Sequence, residues 1–308
     1  MTGMDKASAM LNRRRPLNRK VRDSIEAYIM ILPIIIGLLS FTVIPFIASL
    51  LISFTQWDII TPSKWVGIEN YVNLFKDEIF LKALKNTGYY AVVMVPLATV
   101  VGFFVALMLN MKIKGTVLFR TIYYLPAVTS TVAVATVWLW LFNRDFGLIN
   151  YVLSFLGIQG PAWLSSEALA MPAIIIFSMW QGNGYTMLLY LAALQGIPQG
   201  LYESAYIDGA GPWQRTWRIT IPMVSPTTFF LVITGVINSL QVFEQCYILT
   251  GGGPYYSTTT ISFLIYNQAF SFYRMGYASA ISWILFLIIA VVTIIQFRFQ
   301  NKLVFSEE

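Results

Sequence analysis

Residues 88–110 read GYYAVVMVPLATVVGFFVALMLN and contain no charged side chain. A helix needs about 20 apolar residues to cross the hydrocarbon core of a membrane, and this stretch is long enough. In lipid, every backbone N–H and C=O group must find a partner inside the segment, so such a run forms a helix. The stretch therefore predicts a transmembrane helix.

Five further runs have the same character, at residues 27–54, 121–142, 168–193, 222–249 and 276–297. Across the 308 residues, 57% are hydrophobic and only 11% are charged, against about 25% charged in soluble domains. We therefore predict an all-α integral membrane protein with six transmembrane helices, in which residues 27–298 form one domain between tails 1–26 and 299–308. Five prolines inside the runs predict kinks rather than breaks; they are Pro33, Pro45, Pro96, Pro126 and Pro172.

The composition also excludes several kinds of chemistry. A single cysteine, Cys246, cannot form a disulfide within the chain, and the absence of histidine excludes histidine triads and most zinc sites. No G-x-x-x-x-G-K-S/T motif is present, so the chain has no phosphate-binding loop of that type. We expect no catalytic residue, no metal and no bound cofactor. Because the basic residues flank apolar runs, we also expect contact with membrane lipid and none with nucleic acid.

The distribution of lysine and arginine predicts the topology. The N-terminal tail, the second and fourth loops and the C-terminal tail hold 14 of the 20 basic residues, and the other segments hold six. Cytoplasmic segments carry an excess of lysine and arginine, so both termini are predicted to be cytoplasmic.

Two of the runs carry stripes of polar side chains. In the fifth run the stripe comprises Thr227, Thr234, Asn238, Gln241 and Gln245, with Glu244 beside it; in the fourth run it comprises Ser178, Gln181, Gly182 and Tyr185. Polar groups in hydrocarbon face protein or water, so the stripes either bond neighbouring helices or line a hydrated passage. Neutral polar groups suit a hydroxyl-rich solute, and Tyr185 could stack on a sugar ring. Phe243 is a weaker stacking candidate because a continuous helix would point it away from the stripe.

The fourth loop, residues 201–222, reads LYESAYIDGAGPWQRTWRITIP. Glu203 favours the start of a short helix, Asp208 and Gly209 favour its end, and Pro212 suits the first turn of a second helix. In that second helix Trp213 and Trp217 are expected to anchor on the membrane surface, with Arg215 and Arg218 at the headgroups.

This loop resembles the EAA loop of binding-protein-dependent ABC importer permeases, whose pattern is roughly E-A-A, two residues, D-G-A, and an apolar stretch ending I-x-L-P. Ser204 replaces an alanine, Ile221 replaces the leucine, and Thr216 stands where an aromatic residue is common. Three other segments are similar to the carbohydrate-uptake branch, the maltose and glycerol-phosphate type permeases: VGIENY at 66–71, TGGGP at 250–254, and Arg120 with Tyr123, Tyr124 and Pro126.

The resemblance implies a permease that works by alternating access, with a coupling loop at about 196–222 and a solute path along the fifth-run stripe. The residues we propose for this path are Thr234, Asn238, Gln241, Glu244, Gln245, Gln181 and Tyr185. It implies six residues that couple to an ATPase: Glu203, Ser204, Ala205, Asp208, Gly209 and Ala210. It also implies a contact with an extracytoplasmic solute-binding protein, for which Gly251, Gly252, Gly253 and Pro254 are the candidates. The other implied partners are two cytoplasmic ABC ATPases, which use ATP and magnesium, a related second permease and a sugar substrate.

Three alternatives have different signatures. An importer of amino acids, polyamines, metals or phosphorylated polyols would share the same architecture. An ion-coupled secondary transporter usually shows inverted repeats and ionisable groups at mid-bilayer, neither of which is found in the sequence. An intramembrane enzyme would need a convergent catalytic set, whereas Glu244 is the only acid inside the later spans.

Overall fold

The computed structural model describes residues 19–111 and 115–303, with side chains described between 23 and 300 apart from 112–114. Several basic residues used to predict topology, namely Lys6, Arg13, Arg14, Arg15, Lys112 and Lys114, lie outside the described residues. The chain divides into two units, one up to Ile52 and one from Ser53 onward.

The first unit is helical throughout its described part. Helix α1 spans Arg19–Leu38, a π-helical turn follows at Leu39–Val43, and α2 spans Ile44–Ser53. Pro33 lies inside α1 without breaking it, as predicted. Large apolar side chains such as Phe41, which is 85% exposed, cover this unit. An apolar surface of this extent suits hydrocarbon rather than water.

The second unit begins with a short hairpin and continues as helices. Its elements are β1 Thr55–Gln56, β2 Lys64–Trp65, α3 Glu69–Leu74, α4 Glu78–Asn110, α5 Thr116–Val128, α6 Thr131–Leu141, α7 Leu148–Phe155, α8 Ala170–Gln195, α9 Gln199–Ile207, α10 Pro212–Arg215, α11 Ile221–Met223, α12 Ser225–Leu240, α13 Glu244–Thr250, α14 Ile261–Tyr266 and α15 Met275–Leu303. Two π-helical turns, Thr216–Thr220 and Asn267–Ser271, interrupt this series. The strands pair antiparallel, with Thr55 opposite Trp65.

Within the described residues, three helices are long and apolar enough to cross a membrane by themselves: Asp23–Ser53, Glu78–Asn110 and Met275–Gln300. Two bent pairs raise the number to five if each pair is one span. The remaining predicted span is α8, which is long enough at 26 residues but has a polar centre from Gln181 to Tyr185. The six apolar runs thus correspond to three helices that pass the length and composition criteria alone, two bent pairs and one helix with a polar centre.

Two runs break where the sequence predicts one helix each. The third run divides into α5 and α6, whose axes differ by 99° across Thr129 and Ser130. The segment Pro212–Met223 meets Ser225–Leu240 at 62°, and the fifth run breaks again after Leu240. Hydropathy does not encode direction, so a run can remain apolar while its backbone turns. The prediction that Pro126 would only kink the third run was therefore wrong, and the fifth run is not the single helix that was predicted.

Helix α8 is the centre of the second unit. It packs along α4 and against α5, and most of its residues are buried. Two glycines allow this close packing. A Cβ on Gly102 of α4 would lie 2.6 Å from Thr186 Cγ2, and one on Gly184 would lie 2.6 Å from the carbonyl oxygen of Tyr123 in α5. These contacts fix α8 between α4 and α5, and its polar residues thereby face one interior space.

Candidate substrate cavity and coupling loop

A cavity of about 650 Å³ lies between α4, α5, α6, α8, α12 and α13. All seven residues proposed for the substrate path line it; they are Thr234, Asn238, Gln241, Glu244, Gln245, Gln181 and Tyr185. Ser178 and Gly182, the rest of the fourth-run stripe, line it too, whereas Thr227 does not. Its volume falls within the range of about 300–1,000 Å³ that is typical of small-molecule sites.

The α8 wall of the cavity follows helical periodicity. Ser178, Gln181 and Tyr185 recur every three or four residues, which places them on one face. Gln181 Nε2 donates to Thr131 Oγ1 on α6 at 3.1 Å, so one member of the stripe also bonds a neighbouring helix. Tyr185 is 52% exposed and can present its ring to a ligand. The polar stripe of α8 therefore both bonds a neighbouring helix and lines the cavity.

The opposite wall is formed where the fifth run breaks. Helix α12 ends at Leu240, residues 241–243 are non-helical, and α13 begins at Glu244. The break places Phe243 among the residues that line the cavity, and its ring packs against Tyr247 and Tyr266. Thr260 Oγ1 donates to the carbonyl oxygen of Val242 at 2.7 Å and holds the break from outside the cavity.

Three further aromatic rings complete the lining beside Phe243. Tyr185 was a candidate from the sequence, whereas Tyr90 on α4 and Tyr124 on α5 were not. On α4, Tyr90 shares its face with Met94 and Ala98 at four-residue spacing, which is a weak signal in an otherwise apolar helix. Aromatic faces and neutral polar groups together fit a ligand with ring faces and hydroxyl groups.

The loop after α13 closes one end of the second unit. Gly251 and Gly252 both have positive φ, at 57° and 83°, which glycine adopts without strain. A Cβ on Gly252 would lie 2.3 Å from the ring of Phe263, so this position requires glycine. Gly252 is buried, Gly251 is exposed, and Gly253 and Pro254 are half-buried. Of the four candidate binding-protein contacts, Gly252 is therefore a structural residue.

Side chains of α4 hold this loop in place. Lys82 Nζ donates to the carbonyl oxygen of Tyr255 at 2.6 Å and pairs with Glu167 Oε1 at 2.8 Å. Asn86 Nδ2 donates to the carbonyl oxygens of Tyr256 and Thr259 at 2.8 and 2.9 Å. Tyr255 is 82% exposed, so the loop presents an aromatic ring as well as glycines to its surroundings.

At the predicted coupling loop, α9 spans Gln199–Ile207 with Pro198 as its N-cap. Glu203 lies in the middle of this helix, so the prediction that it starts the helix was wrong; Pro198 is the local signal for the start. The predicted end is confirmed. Gly209 has φ of 77°, Ala210 N–H donates to the carbonyl oxygen of Ala205 at 2.9 Å, and Gly209 N–H donates to that of Tyr206 at 3.1 Å. This pair of bonds is a Schellman motif.

The predicted second helix begins with Pro212 at its first position, as expected. Trp213 and Trp217 are 67% and 56% exposed, and their rings lie edge to face at 5.8 Å. Arg215 was expected at lipid headgroups, but its guanidinium carbon lies 5.7 Å from the ring centroid of Tyr206 on α9. This cation–π contact joins the two helices across the turn.

The exposed surface of α9 is partly apolar. Ile207 is 83% exposed and Tyr206 is 71% exposed, while Glu203, Ser204 and Asp208 are exposed polar residues. Among the candidate coupling residues Ala205 and Ala210 are half-buried. Tyr202 Oη lies 2.9 Å from Thr220 Oγ1 and joins α9 to the π-helical turn that precedes α11.

Comparison with known proteins identifies this arrangement. Residues 98–304 match the family described as binding-protein-dependent transport system inner membrane component. The chain is 39% identical to a probable ABC transporter permease of Bacillus subtilis, over 94% of this chain and 95% of that protein. It is 36% identical to the trehalose/maltose transport system permease MalF of Thermococcus litoralis, over 91% and 95% of the two chains.

The fold has a close counterpart among solved structures. A chain of the bacterial alginate ABC transporter, solved in complex with a periplasmic protein bound to an alginate pentasaccharide, superposes with a TM-score of 0.84. The match has 28% identity and covers 93% of this chain and 97% of that one. The six-run helical architecture is thus that of a transport subunit rather than of an enzyme. The chain is an integral membrane protein and belongs to the family of inner-membrane components of binding-protein-dependent transport systems.

Proposed function

We propose that the chain is the permease subunit of an ATP-driven importer that moves a sugar or oligosaccharide into the cytoplasm. The observation that carries the proposal is the cavity, where neutral polar side chains from two helical runs meet the exposed ring of Tyr185. Such a lining offers hydrogen bonds to hydroxyl groups and flat faces to sugar rings. The relatives named for trehalose and maltose support the same class of substrate.

The energy source in this proposal is a pair of cytoplasmic ABC ATPases that hold ATP and magnesium. Helix α9 is the element that would sit in the ATPase, because it presents exposed Glu203, Tyr206 and Ile207. Closure of the ATPases would move α9 together with α10, since Arg215 and Tyr206 join the two helices. A second, related permease would complete the passage, and both termini of this chain would be cytoplasmic.

The extracytoplasmic partner in this proposal is a solute-binding protein that docks on the loop of Gly251, Gly253, Pro254 and Tyr255. The periplasmic protein present in the alginate transporter complex supports a partner of this kind. The loop is suited to docking because Lys82 and Asn86 hold its backbone in one conformation.

Reconstitution in proteoliposomes tests the proposal. The importer is assembled with its ATPase, companion permease and solute-binding protein, and uptake of radiolabelled sugars is measured with and without ATP. We expect ATP-dependent sugar uptake that falls at least tenfold when Asn238 and Gln241 are both changed to alanine, with ATPase association unchanged. As a control, Thr227→Ala lies on the same run but outside the cavity lining and should leave uptake unchanged. ATP-dependent uptake of amino acids or polyamines, with none of sugars, would overturn the sugar assignment.

A further inference from the structure

The charge of the cavity lining bears on which sugars can enter. Among the residues that line the cavity, Glu244 is the only one with a charged side chain, and no lysine or arginine is present. The other polar groups are hydroxyls and amides, such as Ser178, Asn238 and Gln245. The wall contributed by this chain therefore carries one negative charge and no positive charge.

The carboxylate of Glu244 is available to a ligand. The side chain is exposed, lies in the first turn of α13, and makes no hydrogen bond or ion pair in the described part of the chain. The lysines and arginines of the described second unit lie elsewhere; Arg120, for example, donates to the carbonyl oxygen of Leu109 at the end of α4. Among the described residues, no lysine or arginine therefore lies in the lining to neutralise either Glu244 or an anionic ligand.

A lining of this kind discriminates by charge. A carboxylate sugar in the cavity would lose water and meet a like charge, which is unfavourable inside a partly enclosed site. A neutral saccharide meets hydroxyl and amide partners, and an amino sugar would gain an ion pair with Glu244. The fold itself does not decide this preference, because the similar alginate transporter is described as importing an acidic polysaccharide.

We infer that this chain selects neutral or amino-bearing saccharides over acidic ones, and that Glu244 is the residue that sets the preference. The inference rests on the proposed function, since it concerns which saccharides use the same cavity. It adds the charge of the substrate, because the proposed function specifies a sugar or oligosaccharide without saying whether it is neutral, acidic or basic.

The test measures the binding of saccharides to the assembled importer in nanodiscs. The solute-binding protein is left out, so that only the membrane subunits discriminate between the saccharides. The probes are matched tetrasaccharides on galactose, mannose and glucose backbones, each in its neutral form and in the form oxidised to the C6 carboxylate. We expect the neutral probes to bind at least tenfold more tightly than their acidic counterparts. Glu244→Gln should reduce this ratio to about threefold or less, and Glu244→Asp should preserve it.

The outcomes separate this inference from the proposed function. Acidic probes that bind as tightly as neutral ones, or a ratio that Glu244→Gln leaves unchanged, would overturn the inference while leaving a saccharide importer intact. Failure of every probe to bind would contradict the proposed function itself. Thr227→Ala, outside the cavity lining, is the matched control and should keep the full ratio, and an unshifted thermal unfolding midpoint of Glu244→Gln shows that the variant is folded.

Discussion

Gly209 provides the sharpest test of the coupling loop. Its φ of 77° lies in the left-handed region, and an added Cβ would meet no heavy atom within 4 Å. The cost of Gly209→Ala is therefore purely one of backbone conformation, about 1–2 kcal/mol. This corresponds to a factor of about 5–30 in the population of the turn that ends α9.

Proline at the same position should be more severe. It fixes φ near −65°, which the turn excludes, and it removes the N–H that donates to the carbonyl oxygen of Tyr206 at 3.1 Å. We expect Gly209→Pro to reduce ATP-driven uptake to background and Gly209→Ala to reduce it several-fold. Membrane insertion should be unchanged, because Gly209 lies outside the helices that can span the bilayer.

Gly200 supplies the matched control. It lies inside α9, where an added Cβ also meets no atom within 4 Å, and alanine is favoured over glycine in a helix by about 0.5–1 kcal/mol. The assay measures uptake and ATPase activity in proteoliposomes, with protein per membrane quantified in parallel. Normal uptake by Gly209→Pro, or equal losses in Gly209→Ala and Gly200→Ala, would refute the argument that this turn transmits movement from the ATPase.

Three further substitutions test the packing that positions the cavity, each measured as thermal unfolding in detergent. Gly252→Ala combines a positive φ with a clash against the ring of Phe263 and should lower the free energy of unfolding by about 2–4 kcal/mol. Gly251→Ala, whose Cβ would lie in open space, should lower it by about 1–2 kcal/mol. Equal shifts of the two unfolding midpoints would contradict the packing argument. Gly184→Ala should lower the free energy of unfolding by about 1–3 kcal/mol, because its Cβ would clash with a backbone carbonyl of α5. Gly182→Ala, whose Cβ would have no heavy atom within 4 Å, should leave the unfolding midpoint near that of the wild-type chain. Asn150→Ala removes two donated bonds and one accepted from an indole N–H, and should cost about 2–4 kcal/mol; an unaltered midpoint would count against this network.

The sequence predicts the parts of the structure that depend on local signals. Apolar runs identify the spans because hydrocarbon requires helices of a given length. Gly209 and Pro212 identify the end of one helix and the start of the next because each has a strong backbone preference. Periodicity also predicts the α8 wall, since Gln181 and Tyr185 lie on one face of an unbroken helix.

The breaks are what the sequence does not predict. Residues 129–130 and 241–243 contain neither proline nor glycine to mark a break, and the direction of the chain there depends on packing with other helices. Phe243 lies in the second break, so its place beside the cavity does not follow from the periodicity of a continuous helix. Glu203 was placed at a helix start because acidic residues favour that end, while Pro198 in fact precedes the first turn.

The hydrogen bond from Thr260 to the carbonyl oxygen of Val242 has a mechanical consequence. Thr260 is fully buried and ends the same loop that Lys82 and Asn86 hold against α4. Displacement of that loop by a docked protein must therefore stretch or carry with it the non-helical peptide beside Phe243. The shape of the cavity and the position of this loop are thereby coupled, so a substitution that shifts one also shifts the other.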